Sequence, residues 1–187
     1  MEILTVFLLA IGLSFDTFAV SVSGGVMLPQ IQFRQAIRIA IVLAVFQAVM
    51  PVIGWAIGSG FKQYIERIDH WVAFLILLVL GSKMIYESFS DDAEKPASNP
   101  LEIKNRITIA FATSIDALII GFGLSIIHLG IIESATIIGI VTFIVSMLGL
   151  LFGKKIGTRF GKRMEILGGL ILILIGAKIL FEHLGYL

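Results

Sequence analysis

Two aspartates stand where acidic side chains are rare. Asp16 lies in Leu13-Ser14-Phe15-Asp16-Thr17-Phe18 and Asp116 in Thr113-Ser114-Ile115-Asp116-Ala117-Leu118. Each is close to the centre of an apolar stretch of about 20 residues, the length that crosses a bilayer. A charge at that depth costs about 2.5–3.5 kcal/mol even on insertion scales. The cost is offset either by a proton and a hydrogen bond from a neighbouring helix or by a cation. Two carboxylates balance one divalent ion, and carboxylate, amide and carbonyl oxygens suit hard or borderline metals. The ammonium group of an amino acid or another small cationic metabolite would satisfy the same carboxylates.

Further candidates follow from spacing. Thr113, three residues before Asp116, falls on its face of a helix, whereas Ser14 and Ser114 are about 200° from their aspartates and read as packing residues. Gln47 precedes Pro51 by four, so proline leaves the Gln47 carbonyl without its helical donor beside the side-chain amide. Those two oxygens suit a hard or borderline cation, and a kinked helix whose freed carbonyl is satisfied by water or a hydroxyl is the alternative. Met50 and Met147 lie at the same depth and read as filler. Lys83 with Glu87 and Lys178 with Glu182 are four-apart pairs near helix ends. Snorkelling with mutual neutralisation accounts for them, and a gating or proton-linked role is the alternative. His70, His128 and His183, with Glu66, Asp69, Glu133 and Glu182, read as a solvated outer rim.

The elements that position these residues are helices in a membrane. Of 187 residues 58% are hydrophobic and 14% charged, against roughly 25% charged in soluble domains, and the mean hydropathy is +1.02. Six spans are expected, near 3–27, 36–59, 70–90, 106–127, 131–153 and 165–184. Cysteine is absent, which excludes disulfides and thiolate metal sites, and a net charge of +1 gives no pull toward nucleic acid. Glu2 at the start and Asp16 within the first apolar stretch argue against a secretory signal. No Gly-x-x-x-x-Gly-Lys-Ser/Thr loop is present, so no ATP-driven step is expected.

The chain reads as duplicated. Ala10, Ser14 and Asp16 recur 100 residues later as Ala110, Ser114 and Asp116; at a shift of 95, Gly54, Gly58, Gly81, Lys83 and Glu87 recur as Gly149, Gly153, Gly176, Lys178 and Glu182. A three-span unit has an odd number of crossings, so a second copy enters the membrane inverted. The expected organisation is one all-α membrane domain of two inverted three-helix repeats, 1–90 and 106–187, joined by a polar linker over 91–105. Arg34, Arg38, Lys95, Lys104, Arg106 and the basic run Lys154–Arg163 fall on one side, which places both termini outside the cytoplasm. A homo-oligomer is compatible with this plan, which leaves the number of subunits open.

Three segments together resemble the MntP family of manganese efflux pumps: Ser14-Phe15-Asp16-Thr17-Phe18-Ala19-Val20-Ser21, Phe46-Gln47-Ala48-Val49-Met50-Pro51-Val52-Ile53-Gly54-Trp55 and Ala112-Thr113-Ser114-Ile115-Asp116-Ala117-Leu118. The resemblance covers essentially the whole chain. It implies a multi-pass protein of the bacterial inner membrane that exports Mn2+ as its substrate, with no cofactor. It also implies that Asp16 and Asp116 are cation ligands and that Gln47 and Thr113 support them. The physics of the residues leaves Mn2+, Fe2+, Co2+ and Mg2+ unseparated. An amino-acid or metabolite exporter and a passive channel stay open beside a metal exporter. An intramembrane aspartyl protease fits less well, since neither aspartate has a Gly-x-Gly-Asp context.

Overall fold

The computed structural model describes residues 2–28, 30–60, 69–89, 101–126, 130–156 and 158–183. All regular structure among them is helical: α1 Glu2–Met27, α2 Phe33–Ser59, α3 Asp69–Phe89, α4 Ile103–Thr113, α5 Ile115–Ile126, α6 Ile131–Ile156 and α7 Thr158–His183. Most of the expected linker and the rim residues Glu66 and His128 lie outside the described residues, as do the side chains of His70, Glu182 and His183. Among the described residues five stretches are long and apolar enough to cross a membrane: Leu4–Met27, Phe33–Ser59, Ile103–Ser125, Ile131–Gly153 and Arg163–Phe181. α3 has a spanning length of 21 residues and carries Lys83 and Glu87 in its last two turns.

Two boundaries differ from expectation. The fourth span is broken at Ser114, which takes φ −97° and ψ 0° and separates α4 from α5. There the Ser114 N–H donates to the Phe111 carbonyl three residues back, at 3.2 Å, and the Ser114 hydroxyl donates to the same oxygen at 3.0 Å. This tightens the turn and competes with the regular ladder. Ser14 makes the equivalent hydroxyl bond to the Ile11 carbonyl, at 2.8 Å, inside an unbroken α1. The last helix begins at Thr158, seven residues before the expected 165, because its first turns carry the basic residues Lys162 and Arg163 that hydropathy alone places outside a span.

The helices meet through small residues. α1 lies against α6 and α7, α2 against α5 and α6, and α3 against α7 and α5. A Cβ on Gly149 would stand 2.6 Å from the Ser21 Cβ and 3.1 Å from the Phe18 carbonyl oxygen. One on Gly54 would run into the Leu118 carbonyl and stand 2.9 Å from the Phe122 nitrogen. One on Gly81 would stand 2.5 Å from the Gly169 carbonyl oxygen. Without a hydrophobic force between helices in lipid, such close backbone approach supplies the packing. Outward faces are apolar: Ile41, Val45, Val49, Ile53 and Ile57 form an exposed stripe along α2, and Ile140, Ile144, Leu148 and Phe152 one along α6. Met50 is buried in the central cluster beside Leu13, Ala117 and Ile138, and Met147 packs against a second cluster around Leu43 and Leu150.

The glycine contacts generate a contrast that can be measured. Gly54→Ala is expected to destabilise the protein by about 1–3 kcal/mol, the usual cost of overpacking. Gly123→Ala, whose added methyl would meet only the Ile76 Cδ1, at 3.7 Å, should stay within about 0.5 kcal/mol of the parent. Thermal unfolding of the two variants in detergent micelles reads the difference.

Candidate cation site

The site is built by stripes one helical turn apart. Gly12, Asp16 and Ala19 share one face of α1 by their i, i+4, i+7 spacing. That face meets Gly161, Glu165, Gly168 and Leu172 of α7, a stripe of matching period. A Cβ on Gly12 would stand 3.1 Å from Leu172 Cδ2, and one on Gly161 3.3 Å from the Ala19 Cα. Between these contacts Asp16 comes level with Glu165, which is only 9% exposed. α7 in turn crosses α3 where Gly169 meets Gly81 and Ile85, and Gly168 meets Met84. Lys83 therefore enters the same layer. Asp116, 5% exposed, completes it from α5.

One pair in the layer is closed. Lys83 Nζ donates to Asp116 Oδ1 at 2.9 Å and to Oδ2 at 3.2 Å, and stands 3.9 Å from Glu87 Oε1. The snorkelling expected for Lys83 is thus replaced by an inward reach to a buried carboxylate on another helix. An ammonium so placed offsets the desolvation of Asp116, which an unpaired buried charge would leave uncompensated. Asp16 lies within electrostatic reach of Asp116, Glu165, Lys83 and Glu87. Among the described residues no three acidic or histidine side chains are close enough to hold a metal ion in this conformation.

The remaining expected ligands stand apart. Thr113 ends α4, on the far side of the Ser114 break from Asp116. Its hydroxyl donates to the Ile109 carbonyl at 3.0 Å and lies 3.3 Å from that of Ala110. Gln47 is buried on the face of α2 that carries Pro51 and Gly54 toward α5, and neither amide atom has a hydrogen-bond partner among the described residues. Thr17, Ser21, Thr142 and Ser146 likewise bury hydroxyls without a partner. Glu165 and the Lys83–Asp116 bond are the features that sequence reasoning missed. Continuing α7 back through its basic turn puts Glu165 inside the helix, and that signal was available. A contact between residues 33 apart was not.

Comparison with known proteins gives the family. Residues 30–180 match the family described as "Putative manganese efflux pump". The chain belongs to the MntP family. A "Putative manganese efflux pump MntP" of Crocosphaera subtropica is 46% identical over 184 residues, 98% of each chain. Its namesake in Gloeothece citriformis is 45% identical over 186 residues, 100% of this chain and 98% of that one. That of Photorhabdus laumondii is 46% identical over 186 residues, 98% and 96% of the two chains. No solved structure matches. Relatives of this description and the five or more apolar helices make this MntP-family chain a multi-pass membrane protein.

A double-mutant cycle tests the closed pair. Lys83→Met should destabilise the protein by leaving the Asp116 charge buried and unpaired, and adding Asp116→Asn should recover most of that loss, a coupling of about 1–3 kcal/mol. Glu87→Gln, on the half-exposed side of the ammonium, should shift stability by about 0.5 kcal/mol or less.

Proposed function

We propose that this protein is a secondary transporter that exports Mn2+ from the cytoplasm by alternating access. The cation binds between Asp16 and Asp116, with Glu165 as a further carboxylate and Gln47 and Thr113 in support, and proton exchange at the aspartates drives the cycle. The observation that carries the reading is the layer to which α1, α5 and α7 bring Asp16, Asp116 and Glu165 inside an otherwise apolar bundle. The relatives' description as manganese efflux pumps supplies the metal and the direction.

The scaffold in this reading is two inverted repeats, α1–α3 and α4–α7, with both termini outside the cytoplasm. Paired contacts support it. Gly149 meets Phe18 and Val22, while Gly54 meets Leu118 and Phe122; Gly153 meets Val22 and Gly25, while Gly58 meets Phe122 and Ser125. Under the shifts of 100 and 95 each pair of contacts is the image of the other. The exposed positions Leu75 and Val79 recur as Leu170 and Leu174 by the same rule.

The halves are nevertheless held unequally, as one state of a rocking carrier would be. By the repeat, the bond between Asp116 and Lys83 has its counterpart in Asp16 and Lys178. Asp16 instead sits level with Glu165, thirteen residues before Lys178, about 20 Å along α7 at 1.5 Å per residue. The mirror conformer exchanges these roles. A second reading, export of an amino acid or small cationic metabolite, is favoured by one observation: the cation that Asp116 holds here is an ammonium group.

Cellular manganese in a host lacking its own exporter decides between them. Wild type should lower internal manganese and restore growth in high Mn2+, while Asp16→Asn, Asp116→Asn and Glu165→Gln should each lose most of that effect. Unchanged efflux in both aspartate variants removes the site. Protection against cationic amino acids with none against metals favours the second reading. In proteoliposomes, uphill Mn2+ transport should collapse with the proton gradient, and transport that ignores both that gradient and the membrane potential removes the coupling.

A further inference from the structure

The Lys83 ammonium covers both oxygens with which Asp116 could hold an ion, at 2.9 and 3.2 Å, and Glu87 Oε1 lies 3.9 Å away on the next turn of α3. Both Lys83 and Glu87 are about half-exposed, whereas the Asp116 side chain is 7% exposed. The ammonium thus sits between a buried carboxylate and an accessible one, with its four-carbon stem free to swing between them. We propose that Lys83 is a tethered competitor of the transported cation: it occupies Asp116 in the empty carrier, moves to Glu87 when a divalent cation binds, and returns to Asp116 to help expel the ion. This rests on the reading of Asp116 as a cargo ligand.

A divalent ion bound to Asp116 needs the carboxylate oxygens that Lys83 now holds, and two cations at such a distance in a weakly screened interior repel strongly. The ion therefore binds only after the ammonium leaves, and the ammonium leaves readily only toward another carboxylate. Glu87 is the acceptor within reach. Lysine suits the task because its charge is a compact point on a flexible stem, whereas a guanidinium would bridge both oxygens in a planar fork. The empty carrier gains as well, because one of its buried carboxylates stays compensated while it reorients. Lys83 acts here as a positioning residue, since it never touches the cargo.

Occupancy of Asp116 by Lys83 lowers the apparent affinity by the fraction of carriers whose site is open. The test uses the full-length protein in detergent micelles titrated with Mn2+ alone, with free Mn2+ read from its electron paramagnetic resonance signal. Proteoliposomes loaded with Mn2+ then report net efflux and Mn2+/Mn2+ exchange. Lys83→Gln should bind Mn2+ about tenfold more tightly and lose net efflux more than exchange, since only net efflux requires the empty carrier to return, with Asp116 then uncompensated. Lys83→Arg should stay nearer the parent in affinity. Glu87→Gln, which removes the acceptor, should bind several-fold more weakly. The opposite signs separate competition from simple damage to the fold. If Lys83→Gln binds no more tightly while Asp116→Asn abolishes binding, the competitor is disproved and the site stands. Parent-like binding by Asp116→Asn overturns the site itself. Should Lys83→Gln fail to yield monodisperse protein, Glu87→Gln decides alone, and an unchanged affinity there overturns the proposal.

Discussion

Burying several carboxylates in an apolar helix bundle is the constraint from which the rest of the architecture follows. Each such group must find positive charge or hydrogen-bond donors inside the protein, because lipid supplies neither. Asp116 finds Lys83. That bond requires α3 and α5 to hold a fixed height relative to one another, and Gly123 lies beside Ile76 seven residues along each helix. Asp16 and Glu165 are brought level by a ladder of small residues, Gly12, Ala19, Gly161 and Gly168, which lets α1 and α7 approach closely along the stripe that carries the charges. The close approach elsewhere, at Gly54, Gly81 and Gly149, sets the remaining heights.

α1 has two working faces. Phe18, Ser21, Val22 and Gly25 meet α6, and Gly12, Asp16 and Ala19, nearly half a turn away, meet α7. α5 is divided in the same way: Leu118, Gly121, Phe122 and Ser125 meet α2, while Asp116 and Gly123 look toward α3. The charged faces thus converge from helices whose other faces are locked backbone to backbone. Contacts of the second kind resist change, since a Cβ added there meets a carbonyl directly. Contacts of the first kind are made at Asp116 by a long, rotatable lysine. On α5 stiffness and adaptability are therefore segregated by face, whereas on α1 the charged face is itself closely packed, a Cβ on Gly168 standing 2.8 Å from the Gly12 carbonyl oxygen.

Much of this was legible in the sequence, and the illegible parts have physical reasons. Hydropathy located the five stretches apolar enough to cross a membrane and the helix α3 among them, because burial in lipid leaves no place for charge, and the paired aspartates stood out against that background. The recurrence of Gly54 and Gly58 as Gly149 and Gly153 marked the seams correctly, since only a glycine admits a backbone at that distance. Glu165 was hidden because α7 carries basic residues in its first turns, and hydropathy cannot tell a snorkelling turn from a loop. The partner of Lys83 was hidden because Glu87, four residues away, offered a local explanation for its charge, while Asp116 is brought beside it only by the packing of α3 on α5. The Ser114 break followed no composition signal: Ser14 makes the same hydroxyl bond without interrupting α1. The context of the turn, and not the residue type, decides.

The unpartnered polar groups bear on which conformation this is. Gln47 and Thr142 are equivalent under the 95-residue shift, both are buried, and neither has a hydrogen-bond partner among the described residues. A buried polar group left unsatisfied costs about 1–3 kcal/mol, and an amide has more valences to lose than a hydroxyl, which can turn back to its own helix as Thr113 does. Small hydroxyl residues such as Ser21 and Ser146 are accounted for by size, since they stand where helices touch. Gln47 is not small, so size does not account for it. Any arrangement in which α1 or α5 turns a carboxylate, a water-lined path or a bound cation toward α2 recovers that cost.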